Sequence, residues 1–512
     1  MALPGEPESL ERATSKGRIG RVSSYDYVVV GGGSSGCALA RKLSDNPEVS
    51  VALIESGGAD DRWEIASPAE YFKLWGTDVD WKYESVPQAG TNHRIHRMPR
   101  GRVLGGTSSI NGMVYLRGAS SDFDSWADDG CTDWDWTTVR NAYEEMEAVL
   151  APAFVGDRNP LSEVFLAAAE QAGFAQNPFF DSGSLDGAGW NRSTIVDGRR
   201  NNSFQAFLAQ VATRPNVTIT SNTTVERLLV DPHGNVSGVE AHPAGGGRSS
   251  RITCREVILC AGAFDSPRLL MVSGIGPADH LQSVGVKPLI DLPVGENLID
   301  HLLIGVVYTS KQSISLAHSM VTECCAFGRT SFPKRDAPDI EISFAKEMNF
   351  APLTGDGLPR YTIIPGITQP RSRGTLRLRS AEWTDQPIID PRYLAEPDDL
   401  RMLIESVHMA REIGHSEAFD DWNGGEFFPG VEVSTEAALT DYIKESISTW
   451  FHPVGTCRMG SGEDCVVNPE LEVIGTTGLR VADASIMPDI VSVNTNASAM
   501  MIGWRAGELV LR

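Results

Sequence analysis

One local pattern constrains this chain more than anything else in it. Tyr25-Asp-Tyr-Val-Val-Val30 is a short apolar run with β-branched residues, and Gly31-Gly-Gly-Ser-Ser-Gly36 follows at once. Cys37 to Ser44 then carries apolar positions at helical spacing. Asp45-Asn-Pro47 reads as a turn, and Val49 to Ile54 reads as a second buried strand ending in Glu55. Strand, glycine turn, helix, strand and acid is the order of a dinucleotide-binding unit. Gly31 permits the tight turn, Gly33 lets the backbone approach a pyrophosphate, and Gly36 lets the helix pack on the sheet. The helix start at Ser34 and Ser35 offers free N–H groups and a positive dipole end to phosphate. Glu55 stands 24 residues after Gly31, where a carboxylate can take both ribose hydroxyls. An acid there favours FAD or NAD over NADP. The plainer reading, a structural glycine turn, explains neither the flanking strands nor the acid.

Composition narrows the function classes. The chain has 512 residues, enough for two to four domains, and carries 67 acidic against 44 basic residues, a net charge of −23. That balance lacks the basic footprint of a nucleic-acid binder. No window approaches the ~18 apolar residues that span a bilayer. Residues 1–24 read as a polar arm without the apolar core of a secretory leader. The eight cysteines show no C-x-x-C spacing, so neither a metal site nor a disulfide framework is expected. A cytoplasmic protein with no membrane or nucleic-acid partner is the expectation.

Further glycine-rich segments recur along the chain: Gly101 to Gly118, Glu256 to Pro277 and Gly478 to Pro488. Between and after them stand Val294-Gly-Glu-Asn-Leu-Ile-Asp-His301 and His452-Pro-Val-Gly-Thr456. With these five collinear segments the sequence resembles the glucose–methanol–choline (GMC) family of FAD-dependent oxidoreductases over about residues 25–510. The resemblance implies an α/β fold in two parts. A Rossmann-like FAD-binding domain would be assembled from residues 1–150, 205–300 and 446–512. A discontinuous substrate-binding domain, built on an antiparallel sheet, would come from 151–204 and 301–445. Tyr361 to Ile364, Gly374 to Arg379 and Pro387 to Asp390 read as strands of that second part. Thr223 to Val230 reads as a strand, and His242 to Ser250 as a hairpin turn in an antiparallel extension.

The resemblance also implies a site. His452 matches the family's catalytic histidine, the base that takes the proton of an alcohol. Asn494, 42 residues later, matches the family's second site residue. An Asn can orient the substrate oxygen but cannot take a proton, so His452 acts alone as base. The alternatives are a buried His bonded to backbone, and a turn Asn capping the helix that begins at Ala497; Asn496 is the less favoured pair member. Asn111, Gly112 and Met113 match positions along the flavin edge, where backbone N–H groups stabilise charge on reduced flavin; a purely structural loop is the alternative. Cofactor contacts are further implied at Arg102, Gly105, Gly106, Ser109, Val114, Ala261, Gly262, Asp483, Ala484 and Thr495, and at Val225, through its backbone, for the adenine.

Three departures from the choline-oxidising branch bear on chemistry. That branch attaches FAD covalently through a His where this chain has Ile110, and His96 is out of register, so non-covalent FAD is expected. The stretch expected to carry a cation-holding carboxylate, Ile314 to His318, has no acid; Glu323 comes later. A substrate-contacting His is replaced by Ser343, and a small aliphatic before the catalytic His by Trp450, followed by Phe451. Together these favour an apolar or aromatic primary alcohol over choline. The expected reaction is oxidation to the aldehyde by hydride transfer to FAD, with O2 as acceptor and H2O2 as product. A dehydrogenase using another acceptor and a non-redox hydroxynitrile lyase are the alternatives, the latter disfavoured by Asn494. A catalytically silent FAD-binding protein is disfavoured by His452. Pro352 to Pro359 reads as a surface loop or lid near the site mouth. Oligomeric state is left open.

Overall fold

The computed structural model describes residues 24–315, 320–346 and 357–512. The polar arm and the first part of the 352–359 loop lie outside the described residues; 357–359 is irregular and leads into the strand Arg360–Ile367.

Two sheets carry the structure. The first has the strand order Val217–Thr220, Val51–Ile54, Tyr25–Val30, Ser250–Leu259, Val236–Pro243, Thr223–Val230, with Leu479–Val481 also beside Ser250–Leu259. The strands Val217–Thr220, Val51–Ile54, Tyr25–Val30 and Leu479–Val481 pair in parallel, together with the C-terminal end of Ser250–Leu259. Both faces of this half are covered, which is why Val28, Val29, Val51 and Leu53 can run together as buried residues. The ten-residue strand Ser250–Leu259 outruns its parallel neighbours, and its N-terminal end continues into an antiparallel meander with Val236–Pro243 and Thr223–Val230. The hairpin expected around residues 242–250 is the first turn of that extension.

The helix Ser34–Leu43 follows the glycine turn and packs against the C-terminal helix Asn496–Val510. Their contact is close because Gly503 lies on Ser35: a Cβ at Gly503 would stand 2.1 Å from the Ser35 carbonyl oxygen.

The second sheet is antiparallel, in the order Asn423–Phe428, Val306–Ser310, Arg360–Ile367, Ile340–Ala345, Cys324–Gly328, Gly187–Trp190. The short strand Leu302–Leu303 pairs with both Arg360–Ile367 and Ser448–Thr449. Strand alternation gives this sheet two faces. The helix Pro397–Gly414 covers one of them with Met402, Leu403, Val407 and Ala410, and Tyr308, Tyr361 and Phe419 stack there. On the other face Leu303 lies opposite Gly366, Gly366 opposite Glu341 and Glu341 opposite Phe327; the next row sets Ile364 opposite Ser343 and Ser343 opposite Cys325.

Thr375–Arg377 and Ile388–Asp390 are strands, as expected, and they pair with each other in a separate two-stranded antiparallel sheet. Strand-forming residues are legible locally, whereas the partner is set by tertiary contacts. Among the described residues, no helix is long and apolar enough to cross a membrane, and no group of three His, Cys, Asp or Glu could hold a metal ion.

Candidate active site

One continuous cavity joins the glycine turn to the catalytic histidine of the sequence reading. The turn contributes Gly31, Gly33, Ser34 and Ser35, the end of the second strand contributes Glu55, and the loop after residue 105 contributes Gly106, Asn111, Gly112, Met113 and Val114. Val225, Ala261, Gly262, Asp483, Ala484 and Thr495 add wall from three other chain segments. His452, Asn494, Ser343, Trp450 and Phe451 line it too.

Four residues expected at the cofactor stand behind this wall instead. A Cβ at Gly36 would meet the Gly31 carbonyl oxygen at 1.9 Å, so this glycine serves helix-on-turn packing. The Gly105 N–H donates to the Gly32 carbonyl at 2.8 Å. Ser109 donates to the Leu104 carbonyl and accepts from Asn202. Arg102 lays its guanidinium over Trp81, 5.1 Å from the ring centroid, and Trp81 is the one that reaches the cavity. None of the four belongs to the lining; Gly36, Gly105 and Ser109 are spent on protein contacts, while Arg102 Nε is buried without a hydrogen-bond partner.

The cradle fits a dinucleotide. Gly31 has φ +104, and a Cβ there would stand 2.4 Å from the Cys260 carbonyl oxygen; one at Gly106 would stand 2.6 Å from the Gly33 Cα. Two chain segments therefore meet with no side chain between them and leave backbone as the wall. The helix starting at Ser34 has no side-chain cap, which leaves its first N–H groups available to an anion. Glu55 accepts from the Gly32 and Gly57 N–H groups at 2.8 and 2.7 Å, which fixes the carboxyl at the cavity edge. Burial lifts its pKa to about 7 against the pull of those two N–H groups.

At the other end the protonation pattern follows from three contacts. His301 Nε2 lies 2.9 Å from the Thr368 carbonyl oxygen, which can only accept, so Nε2 carries the proton. Burial holds His301 neutral by pushing its pKa down to about 3, which leaves Nδ1 bare. His452 Nδ1 lies 3.0 Å from that Nδ1 and must therefore be the donor. The lone pair of His452 is thus on Nε2, which faces Asn494 Nδ2 at 3.4 Å. Burial first, then the neighbouring imidazole and the Arg100 guanidinium, hold His452 well below the ordinary imidazole range.

The backbone of His452 is held as firmly as its ring. Its N–H donates to Asp300 Oδ1 at 2.8 Å, and the other Asp300 oxygen accepts from Tyr393, at 2.6 Å, and from Thr449. Phe451, one residue earlier, sits at φ +65, and its carbonyl accepts from Arg100. This bend sets the Trp450 and His452 rings nearly parallel, with centroids 6.1 Å apart. Trp75 meets Phe451 edge-on at 4.9 Å, and both line the cavity together with Trp450 and His452.

Several alternatives of the sequence reading fall away. His452 is not a histidine bonded to backbone carbonyls through its ring: its ring contacts are His301 and Asn494. Asn494 does not cap the last helix, where Thr495 is the N-cap and makes no side-chain bond. Its Oδ1 is buried without a partner, as expected for a group awaiting a ligand. Asn496 is engaged by the Ser34 hydroxyl at 2.6 Å. Glu323 pairs with Lys346 at 2.6 Å and accepts from Ser162, outside the cavity wall. Ile314 and Ser315 are described, and the rest of that stretch is outside the described residues. His96 bonds Thr91 and does not line the cavity.

Three residues of this end were not singled out from sequence: His301, Asp300 and Arg100. The first two close the segment Val294 to His301, which attracted notice as a motif without a role. Arg100 directly precedes the glycine-rich stretch, and nothing in its surroundings marks a cation destined for burial.

The comparisons with known proteins agree with this geometry. Models of the GMC oxidoreductase family match residues 25–303 and 370–503. Choline oxidase of Arthrobacter globiformis is 37% identical, covering 95% of this chain and 94% of its own. An alcohol dehydrogenase [acceptor] of Pseudomonas putida is 34% identical over 95% of this chain and 96% of its own. The crystal structure of pyridoxine 4-oxidase from Mesorbium loti superposes with a TM-score of 0.88 at 34% identity, covering 95% of this chain and 99% of that one. Cradle and sequence kinship converge on one conclusion: the chain is an oxidoreductase of the GMC family, whose members bind FAD.

Proposed function

We propose that the protein oxidises a primary alcohol with an apolar or aromatic body to its aldehyde, with His452 as the base. The observation that carries this reading is the lone pair on His452 Nε2, presented beside Asn494 in the cavity that begins at the dinucleotide cradle. Gly31, Gly33, Ser34, Ser35 and Glu55 would hold FAD, which would supply the acceptor for the carbon-bound hydride. His452 Nε2 takes the hydroxyl proton, and Asn494 orients the substrate oxygen. The N–H of His452 Nδ1, anchored on His301, keeps the ring from turning. Asn111 Oδ1 accepts from Arg200 and from the Met113 N–H, which fixes the loop whose backbone borders the cavity. The two-domain division along the segment boundaries given above belongs to the same proposal.

Trp450, Phe451, Trp75, Leu303 and Ile364 give the wall beside the base its apolar character, which supports an apolar or aromatic substrate. The relatives include both a choline oxidase and an alcohol dehydrogenase [acceptor], and O2 is the acceptor proposed here. Anaerobic mixing of the holoenzyme with a panel of alcohols tests the reading: benzyl-type alcohols bleach the oxidised flavin band and choline does not. Bleaching by choline ahead of every aromatic alcohol overturns it. Release of H2O2 under air is the expected sign of oxidase action.

Two further outcomes follow. Ile110 is buried at the cavity and offers no nucleophile, so FAD is held without a covalent bond. Acid precipitation is expected to leave the yellow colour in the supernatant; colour in the pellet contradicts this. The depressed pKa of His452 keeps Nε2 unprotonated in mild acid. A base is active when unprotonated, so kcat/KM is expected to stay level below the ordinary imidazole value of ~6.5 and to fall only well under it. An acid limb at that ordinary value contradicts the burial argument.

A further inference from the structure

Among the apolar residues Trp450, Leu303 and Ile364, the cavity wall carries a serine backed by a buried acid. Ser343 lines the cavity, and its hydroxyl donates to Glu341 Oε1 at 2.8 Å. That bond commits the Ser343 proton, so toward the cavity the hydroxyl oxygen can only accept.

Glu341 shares the cavity face by strand geometry. It stands two residues before Ser343, and it lies opposite Gly366, which in turn lies opposite the cavity-lining Leu303. Gly366 carries no side chain to separate them, and the Trp450 ring fills that space: a Cβ there would stand 2.3 Å from the Trp450 ring. Glu341 is 1% exposed, and its Oε2 has no hydrogen-bond partner.

A buried carboxyl with one serine for company is costly in a structural wall, because burial of a charge needs a counter-charge or a full set of donors. Among the described residues no ion pair involves Glu341, and burial raises its pKa to about 7 with only Ser343 opposing. A residue placed only to fill space at this strand position is served as well by Met or Leu. The Ser343 oxygen, its proton committed to Glu341, is open to a donor from the cavity, and the acid behind it favours a donor that carries positive charge.

We propose that Ser343, backed by Glu341, is the polar end of the substrate subsite and selects alcohols that carry a protonated N–H group at the end remote from the reacting carbon. The alcohol meets His452 and Asn494, its body lies along Trp450, Leu303 and Ile364, and its ammonium or ring N–H donates to Ser343 Oγ. A quaternary ammonium has no N–H to give and leaves the Ser343 oxygen unsatisfied. The subsite rests on the alcohol-oxidising reading above and narrows it to one substrate class.

Two matched alcohols and one inert amine test it on the holoenzyme. 4-(Aminomethyl)benzyl alcohol is expected to exceed 4-methylbenzyl alcohol in kcat/KM by about ten-fold or more, the scale of a hydrogen bond to a charged group. Glu341→Gln, which keeps an acceptor for Ser343, is expected to collapse that ratio toward one, mainly through KM of the amino substrate; Ser343→Ala is expected to do the same. Benzylamine, which has no hydroxyl to oxidise, is expected to perturb the bound flavin spectrum of the wild type at a concentration at least ten-fold below that needed in Glu341→Gln. A ratio that survives both substitutions, or equal benzylamine titrations in wild type and variant, overturns the subsite. If no alcohol bleaches the flavin but benzylamine still discriminates the variants, the subsite stands and the oxidation reading falls.

Discussion

Substituting His452 by Ala is expected to abolish flavin bleaching by alcohols while the protein remains yellow. Loss of a positioned general base typically lowers the rate by ~10²–10⁴-fold. Here the loss belongs at the upper end, because nothing beside it can substitute. Asn494 offers an amide, His301 is turned away with its proton on the Thr368 carbonyl, and Arg100 is a cation. FAD retention follows from the distribution of the cradle over the glycine turn, the loop around Asn111 and the segment 483–495, of which the His452 side chain touches only Asn494. Anaerobic stopped-flow absorbance, with bound flavin counted from the visible spectrum, checks both halves. A variant that bleaches at the wild-type rate removes His452 from the mechanism.

The second large effect is expected at a residue positioned to act through the base. His301→Ala deprives the His452 Nδ1–H of its acceptor, 3.0 Å away, and frees the ring to take the other tautomer. A base with its lone pair pointed the wrong way is inactive, and kcat is expected to fall by about 10²-fold, short of the ~10⁴-fold known for a triad histidine held in the wrong tautomer. The substitution also leaves the Thr368 carbonyl unpaired, at a cost to stability of about 1–3 kcal/mol. A readout separates positioning from mere packing. Burial is the first cause of the depressed His452 pKa, and His301→Ala opens the ring's surroundings to water, so the acid limb of kcat/KM moves to higher pH. His301→Asn, whose amide can both donate and accept, is expected to recover part of the rate. An acid limb that stays in place in the Ala variant contradicts the coupling.

What could be read from the sequence divides along physical lines. The first strand, the glycine turn, its helix and the acid at the next strand end were legible because each signal is local: a turn needs glycine, a helix start needs free N–H groups, a strand alternates. His452 and Asn494 were legible through motif resemblance, and the fold closes their 42-residue separation to 3.4 Å. His301 was not, since its role is a ring-to-ring contact with a residue 151 positions away. Glu341 gave no signal at all. In Asp339-Ile-Glu-Ile-Ser-Phe344 it reads as an ordinary polar position of a half-buried strand, and only the sheet's second covering turns it into a buried acid. Glu323 shows the reverse: an acid close to the expected cation-holding stretch finds a lysine partner instead. Ser109 sits in the right segment but bonds protein, because a glycine-rich loop presents backbone where a side chain was expected.

Asp300 and His301 are consecutive, and one grips the backbone of the base while the other grips its ring. The residues that follow them, Leu302–Leu303, are already the first strand of the antiparallel sheet, and they pair with Ser448–Thr449 just before the base. His452 is therefore held from both sides: the strand before it belongs to the antiparallel sheet, while just after it the Gly455 N–H donates to the Ala484 carbonyl of the cradle at 3.2 Å. On the proposed reading, a wall remodelled for a new alcohol still meets a base that is keyed to the nucleotide side as well. Catalytic tuning in this scaffold is then chiefly a matter of how the two sheets are clamped together.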